Sequence, residues 1–409
     1  MWLLVKLLDR LVKRGEVELV AADGTRRMFG TPDPEFGSMT LRLTDDGAAK
    51  AITRNIRLGF GEAWMDGRIA IEGGDLREFL FLIKQNVSFG SGNTLEGKSP
   101  LKGLKRLATT ADRLNWRRRS RRNVAHHYDL SDRLYALFLD EDWQYSCAYF
   151  ARPDMTLDEA QLAKKQHIAA KLALHPGQRV LDIGCGWGGM AIYLAKTFGV
   201  DVTGITLSEE QLKVAQRRAA EAGLQDKVRF RLTDYRDLTG SFDRIVSVGM
   251  FEHVGPPHYR EFFRQCHRLL TKDGVMLLHT IGRMGGPGTT DAFTSKYIFP
   301  GGYIPALSEI VRVSERHKLI MTDCETLRLH YAKTLHAWYD RTVGARDEIV
   351  NLYDERFFRM WQLYLAGSEV AFRFGGMANY QLQYVKDRHA LPLTRDYLFE
   401  KETALRGSD

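Results

Sequence analysis

The run Val180-Leu181-Asp182-Ile183-Gly184-Cys185-Gly186-Trp187-Gly188-Gly189 decides the fold. Arg179 to Ile183 has the length of a short buried strand. Glycines then break it, and Met190 to Phe198 resumes at helical spacing. Glycine lets a backbone turn sharply and approach a ligand closely. Outward from this turn the pattern alternates. Val202–Thr206, Val228–Leu232, Arg244–Val248 and Val275–Thr280 are expected as further strands, with Tyr259–Leu270 the helix before the last of them. Ser208, followed three residues on by Gln211, has the pattern of a capping box that opens a helix. This rhythm predicts an α/β domain with a doubly wound, mostly parallel sheet and helices on both faces.

A Gly-x-Gly turn alone does not name a ligand, because nicotinamide, flavin and methyl-transferring folds share it. Two details separate them. Asp182 stands two positions before the first glycine, giving Asp182-x-Gly184-x-Gly186-x-Gly188. A dinucleotide fold also expects a ribose-binding acid about twenty residues on, at the tip of the second strand. That strand here ends Gly204-Ile205-Thr206-Leu207-Ser208, with no acid. The pair Asp234-Tyr235 follows the third strand, where many methyltransferases cradle adenine. The ordered set resembles the S-adenosylmethionine motif of Rossmann-like class I methyltransferases.

Composition bounds the rest. The chain has 409 residues, room for two domains. Residues 1–87 read as a smaller N-terminal α+β domain, with turn signals at Asp23-Gly24 and Gly73-Gly74. Residues 88–122 read as a linker and basic segment, and 123–395 as the catalytic domain. Cys147, Cys185, Cys266 and Cys324 stand far apart without a Cys-x-x-Cys pair, so neither a zinc site nor a disulfide framework is expected. No metal is expected, and a reducing cytoplasm fits best. Helical spacing in Trp2–Val12 puts Leu4, Leu7, Leu8 and Leu11 on one face, expected to dock on the domain's own core. The sharper alternative is a membrane-surface helix.

Net charge is +8 and unevenly placed. Ten basic residues from Lys98 to Arg122 face only Asp112, so this segment carries +9 and the rest of the chain about −1. Such a stripe suits an anionic surface, nucleic acid or phospholipid, or is a plain solvated face. No nucleic-acid module or Asn-Pro-Pro-Tyr base-methylation motif accompanies it, so a nucleic-acid partner is not expected.

Further segments narrow the chemistry: His127-Tyr128-Asp129-Leu130, Gln144-Tyr145-Ser146-Cys147-Ala148-Tyr149-Phe150, Val248-Gly249-Met250-Phe251-Glu252-His253-Val254-Gly255, Leu278-His279-Thr280-Ile281-Gly282 and Tyr331-Ala332-Lys333-Thr334-Leu335. Together they resemble the cyclopropane fatty acid synthase family, which includes the mycolic acid cyclopropane synthases, over roughly residues 120 to 390.

The resemblance implies S-adenosylmethionine as methyl donor and bicarbonate as base. It implies cyclopropanation of cis-unsaturated acyl chains of membrane phospholipids by a peripheral enzyme on the cytoplasmic face of the inner membrane, and the charge of segment 98–122 is expected to dock it on the anionic membrane surface. A methyl- or methylene-branching reaction is the alternative within the family, and a homodimer is left open. Carried over residue by residue, the bicarbonate pocket falls on Cys147, Glu252, His279, Ile281 and Tyr331. Main-chain groups act at Cys147 and Ile281, and Glu252 is expected to orient His279 or a bicarbonate proton. The cofactor contacts fall on Tyr145, Ser146, Asp182, Gly184, Gly186, Thr206, Leu207, Gln211, Asp234 and Tyr235. One departure stands out. Ser368-Glu369-Val370-Ala371-Phe372-Arg373 has no cysteine where some family members carry one, so no thiol acts there.

Overall fold

The computed structural model describes residues 1–87 and 130–407. The basic segment 98–122 and His127-Tyr128-Asp129 lie outside the described residues. The chain divides into two compact units.

The first unit holds a four-stranded sheet in the order β2-β1-β3-β4. Strand β1 (Gly15–Val20) runs antiparallel to β2 (Arg26–Thr31) and parallel to β3 (Met39–Leu43), which pairs antiparallel with β4 (Ile69–Glu72). The Asp23-Gly24 signal is the β1–β2 turn: Gly24 takes φ +83°, a region open to glycine without a Cβ penalty. Val17, Leu19, Leu41 and Leu43 alternate inward and pack on Ala48, Ile52, Phe79 and Leu82 from the helices. Those helices start on side-chain caps: Asp45 accepts from Ala48 N–H, Asn55 from Leu58 N–H, and Asp75 with Glu78 forms a full capping box. The first helix, Trp2–Leu11, buries Leu4 and Leu8 in this core, and its Leu11 is buried as well. Leu7 is only half-buried, and Trp2 and Leu3 face outward.

This unit does not stop at residue 87. It also takes in 290–300 and 335–376, which the sequence reading assigned to the catalytic domain. The reason lies in long-range contacts. Trp64 Nε1 donates to the Arg359 carbonyl at 3.2 Å, Arg77 pairs with Asp340 at 2.6 Å, and Lys296 pairs with Glu62 at 2.6 Å. The helix Glu355–Arg373 thereby lies on the helices Ile56–Met65 and Leu76–Gln85. Partners so distant in sequence leave no local pattern to read.

The second unit carries a seven-stranded sheet in the order β10-β11-β9-β8-β5-β6-β7. Strands β5 (Arg179–Ile183), β6 (Asp201–Thr206), β7 (Val228–Leu232), β8 (Phe242–Val248) and β9 (Leu270–Arg283) are parallel. Strand β11 (Met377–Val385) then pairs antiparallel with both β9 and β10 (Ile320–Leu327). The parallel part matches the expected strands, and the antiparallel pair adds an edge the sequence reading did not draw. The chain leaves β5 toward β6 and β7, then returns to lay β8 and β9 on its other side. Ligands of open α/β sheets bind at the carboxyl ends of strands where the order reverses in this way. One face packs Phe251, Tyr259, Phe262 and Phe263 together, with Phe251 and Tyr259 stacked at 4.4 Å between centroids. The other packs Ile168, Leu172, Leu194 and Val202. The last helix, Asp396–Arg406, also belongs to this unit, so the unit extends past residue 395. Among the described residues no helix is long and apolar enough to cross a membrane.

Candidate active site

A cleft of about 140 Å³ opens at the carboxyl ends of β5, β6 and β8. Its floor is the glycine turn. Gly184 and Gly186 take φ +83° and +54°, and the N–H groups of Gly184 and Cys185 both bond the Ile205 carbonyl. A side chain at Gly184 would collide with Met250, whereas one at Gly186 would project into open space within the cleft. The turn therefore brings bare backbone to the ligand's side.

Asp182, next to last in β5, is buried and lines the cleft, and its Oδ2 has no hydrogen-bond partner. Burial pushes its pKa up to about 7, against the pull of Lys164. A buried carboxyl with an unmet oxygen fits a cationic ligand group.

At the tip of β6 the expected capping box is half made. The Ser208 side chain accepts from Gln211 N–H, but the Gln211 side chain does not return to Ser208. Its Oε1 accepts instead from Thr206 Oγ1 at 2.9 Å, while Ser208 N–H donates to Thr206 Oγ1. Thr206, Leu207 and Gln211 thus line the cleft where a dinucleotide fold would put its ribose acid.

Asp234 and Tyr235 line the far end. Arg236 grips Asp234 twice, Nε to Oδ1 at 2.8 Å and Nη2 to Oδ2 at 2.6 Å, with both side chains buried. Tyr235 sets its ring edge-on to Phe262. Gln265 Nε2 donates to the carbonyls of Tyr235 and Leu238.

Another wall is the segment Trp143–Ser146, held from behind by the helix Leu157–Leu172. Thr156 and Glu159 cap this helix with a complete capping box. Gln161 Nε2 donates to the carbonyls of Gln144 and Ser146. Lys164, fully buried, donates to Gln144 Oε1 at 2.7 Å and Ser146 Oγ at 2.8 Å. Burial lowers its pKa to about 8. Tyr145 and Ser146 line the cleft, and Tyr145 stands edge-on to Tyr135. All ten residues singled out as cofactor contacts line this one cleft.

The five residues of the expected anion pocket are outside that lining. Cys147 is buried, its thiol pushed up by desolvation. The neighbouring Ala148 N–H donates to Thr334 Oγ1 at 3.0 Å, which ties this wall to the helix turn that carries Tyr331. Glu252 Oε1 accepts the Ile281 main-chain N–H at 2.5 Å, and its buried Oε2 has no partner. Desolvation raises the Glu252 pKa to about 7, although the Ile281 N–H pulls the other way.

Of the two roles expected of Glu252, orienting His279 is not the one seen: its Oε1 is taken by the Ile281 N–H, and amides hold the ring. Strand β11 pairs Gln381 directly opposite His279, so amides from β11 flank the ring. Gln381 Nε2 lies 3.1 Å from Nδ1 and Asn379 Nδ2 lies 3.3 Å from Nε2. Burial lowers the His279 pKa to about 3, which keeps the ring neutral. A neutral imidazole accepts at one nitrogen and donates at the other, so one amide must turn its oxygen to the ring. Sequence reasoning missed Gln161, Lys164, Arg236, Asn379 and Gln381. Only Arg236, two positions from Asp234, had a local signal.

A glycine turn at a switch point, an acid beneath it and no ribose acid define a class I, S-adenosylmethionine-dependent methyltransferase. The mycolic acid cyclopropane synthetase family matches residues 115–382, and the chain belongs to that family. It is 42% identical over 336 residues to the cyclopropane-fatty-acyl-phospholipid synthase of Escherichia coli, spanning 81% of this chain and 84% of that protein. It is 35% identical over 399 residues to the tuberculostearic acid methyltransferase UfaA1 of Mycobacterium tuberculosis, spanning 93% and 90%. A crystal structure of mycolic acid cyclopropane synthase CmaA1 complexed with SAH and CTAB, 37% identical, superposes with a TM-score of 0.62, covering 64% of this chain and 97% of that one.

Proposed function

We propose that this chain is a cyclopropane-fatty-acyl-phospholipid synthase, converting cis-unsaturated acyl chains of membrane phospholipids to cyclopropane chains with bicarbonate as base. The observation that carries this reading is Glu252. A buried carboxyl with a pKa of about 7 and one unmet oxygen sits in the same Gly249–Val254 segment that walls the cofactor cleft. Such a group can donate a hydrogen bond at neutral pH, which a plain carboxylate cannot. Glu252 Oε2, Tyr331 and the main chain at Cys147 would hold bicarbonate.

When bound, S-adenosylmethionine supplies the methyl group and bicarbonate the base that takes a proton as the ring closes. The chain's own groups hold and orient. Asp182 would accept from the ammonium of the methionine end, Thr206 and Gln211 would meet the ribose, and Asp234 with Tyr235 would meet the adenine. A cis alkene is a weak nucleophile, so this positioning and the exclusion of water are what the protein contributes. Docking on an anionic phospholipid surface through residues 98–122, on the cytoplasmic face, is part of the same proposal and is supported by that segment's charge.

The second reading is methyl transfer without ring closure. The similarity to a tuberculostearic acid methyltransferase over 93% of the chain favours keeping it. Incubation with unsaturated phospholipid vesicles and methyl-labelled cofactor, then NMR of the lipid, separates the two. High-field ring protons support the first; a labelled chain without them supports the second.

A further inference from the structure

The helix Leu157–Leu172 carries a buried lysine directly behind the cleft wall. Lys164 is 0% exposed, although a lysine is almost never fully buried without a partner. Its ammonium meets two acceptors, Gln144 Oε1 at 2.7 Å and Ser146 Oγ at 2.8 Å. An ammonium has donors and no acceptor, so Ser146 Oγ is the acceptor of that bond. The Ser146 hydroxyl hydrogen must therefore point elsewhere.

The surroundings say where. The Gln144 amide is fixed at both ends, its Oε1 on Lys164 and its Nε2 on Asp142 Oδ2 at 3.0 Å. Asp142 is held in turn by Lys165 at 2.5 Å and by Arg218. Gln144 and Ser146 keep their own carbonyls on Gln161. Ser146 lines the cleft, as does Asp182, whose buried Oδ2 has no hydrogen-bond partner. The charge of Lys164 reaches Asp182 as well. The cleft lining thus carries an acid without a partner and a hydroxyl primed as donor with a buried cation behind it. An α-amino acid has the matching pair of charges.

We propose that Lys164 is a positioning residue: it turns the Ser146 hydroxyl into the cleft as a donor to the α-carboxylate of the cofactor's methionine end and supplies the buried counter-charge. The assignment rests on the cleft taking S-adenosylmethionine. Lys164 does not touch the cofactor itself; its effect passes through Ser146.

The test is equilibrium binding by calorimetry, with S-adenosylhomocysteine and with its decarboxylated counterpart. Wild type should prefer the carboxylate-bearing ligand. Lys164→Met, which keeps length and removes charge, should weaken S-adenosylhomocysteine by about tenfold and the decarboxylated ligand little, since a hydrogen bond to a charged group is worth about that much. Ser146→Ala should show the same selective loss, and the double variant should be no worse than either single one. Equal weakening of both ligands, or an unchanged preference, overturns the proposal. If Lys164→Met does not unfold cooperatively, Ser146→Ala decides: an intact carboxylate preference there overturns it. Failure of wild type to bind either ligand would instead reject the cleft's assignment, and the role of Lys164 with it.

Discussion

The Ile281 main-chain N–H donates to Glu252 Oε1 at 2.5 Å while Glu252 Oε2, equally buried, meets no donor or acceptor. The carboxyl is half satisfied, and burial raises its pKa from 4.5 to about 7. The raised value makes a stability statement. Between pH 4.5 and about 7 the folded state holds a proton that the unfolded chain has lost, so stability falls as pH rises through that window. The span is worth up to about 3 kcal/mol. Glu252→Gln keeps an acceptor for Ile281 and cannot ionise. Urea unfolding of this variant should show a shallower fall between pH 5 and 8, Asp182 still contributing its share, and a slope equal to wild type would show that Glu252 is already ionised when folded.

Asp182 titrates in the same range for a different reason. It is buried without a partner, with a pKa of about 7. An incoming ammonium favours the carboxylate, so ligand binding near pH 6 should expel close to one proton. Calorimetry with S-adenosylhomocysteine in two buffers of different ionisation enthalpy measures this directly. Heats should differ between buffers for wild type and coincide for Asp182→Asn, which should also bind about tenfold or more weakly. Identical heats for wild type would contradict the placement of the ammonium.

His167 sits between two carboxylates, with Nε2 on Glu325 at 2.6 Å and Nδ1 on Glu402 of the last helix. Burial disfavours its charge, but hydrogen bonds to Glu325 and Glu402 outweigh this and raise its pKa above 6.5. The stability from this pair is full below pH 6.5 and is lost as pH climbs through the raised value. Glu402→Gln should lower stability by about 1–3 kcal/mol at pH 6, and by less once pH has climbed past the raised value and wild-type His167 has lost its proton. Thermal unfolding followed from pH 6 upward gives the comparison, and a loss that does not change with pH would show that Glu402 does not raise the histidine's pKa.

Gln381 and Asn379 bracket His279 from β11. Gln381→Leu should leave one ring nitrogen unpaired in a buried setting, costing about 1–3 kcal/mol in stability. If the ring's orientation matters to the proton-transfer step, kcat should fall more than KM rises. Unchanged kcat would make His279 a structural residue only.

The parts of the fold that are local in sequence were legible. The strand–glycine–helix unit at 179–198 and the strands at 202–206, 228–232 and 244–248 follow from apolar runs and breakers. The cleft-lining positions were reachable because each sits at the carboxyl end of such a strand or in the Tyr145-Ser146 motif. What sequence could not show depends on pairing across long distances. Strand β11 reaches His279 from about a hundred residues away. The segment 335–376 joins the first unit through contacts such as Trp64 with Arg359. Lys164 stands in a run rich in Lys and Gln that reads as a solvated helix face, yet it is fully buried. Hydropathy registers a lysine as polar and cannot see the Gln144 and Ser146 acceptors that admit it.

The most direct measurement uses the whole chain with vesicles of cis-unsaturated phospholipid, bicarbonate and methyl-labelled S-adenosylmethionine, followed by NMR and mass analysis of the acyl chains. The expected result is label in chains one methylene heavier, with high-field ring protons and loss of the alkene signal. Absence of label from the acyl chains, or label only in chains without a ring, would contradict cyclopropane formation by this protein.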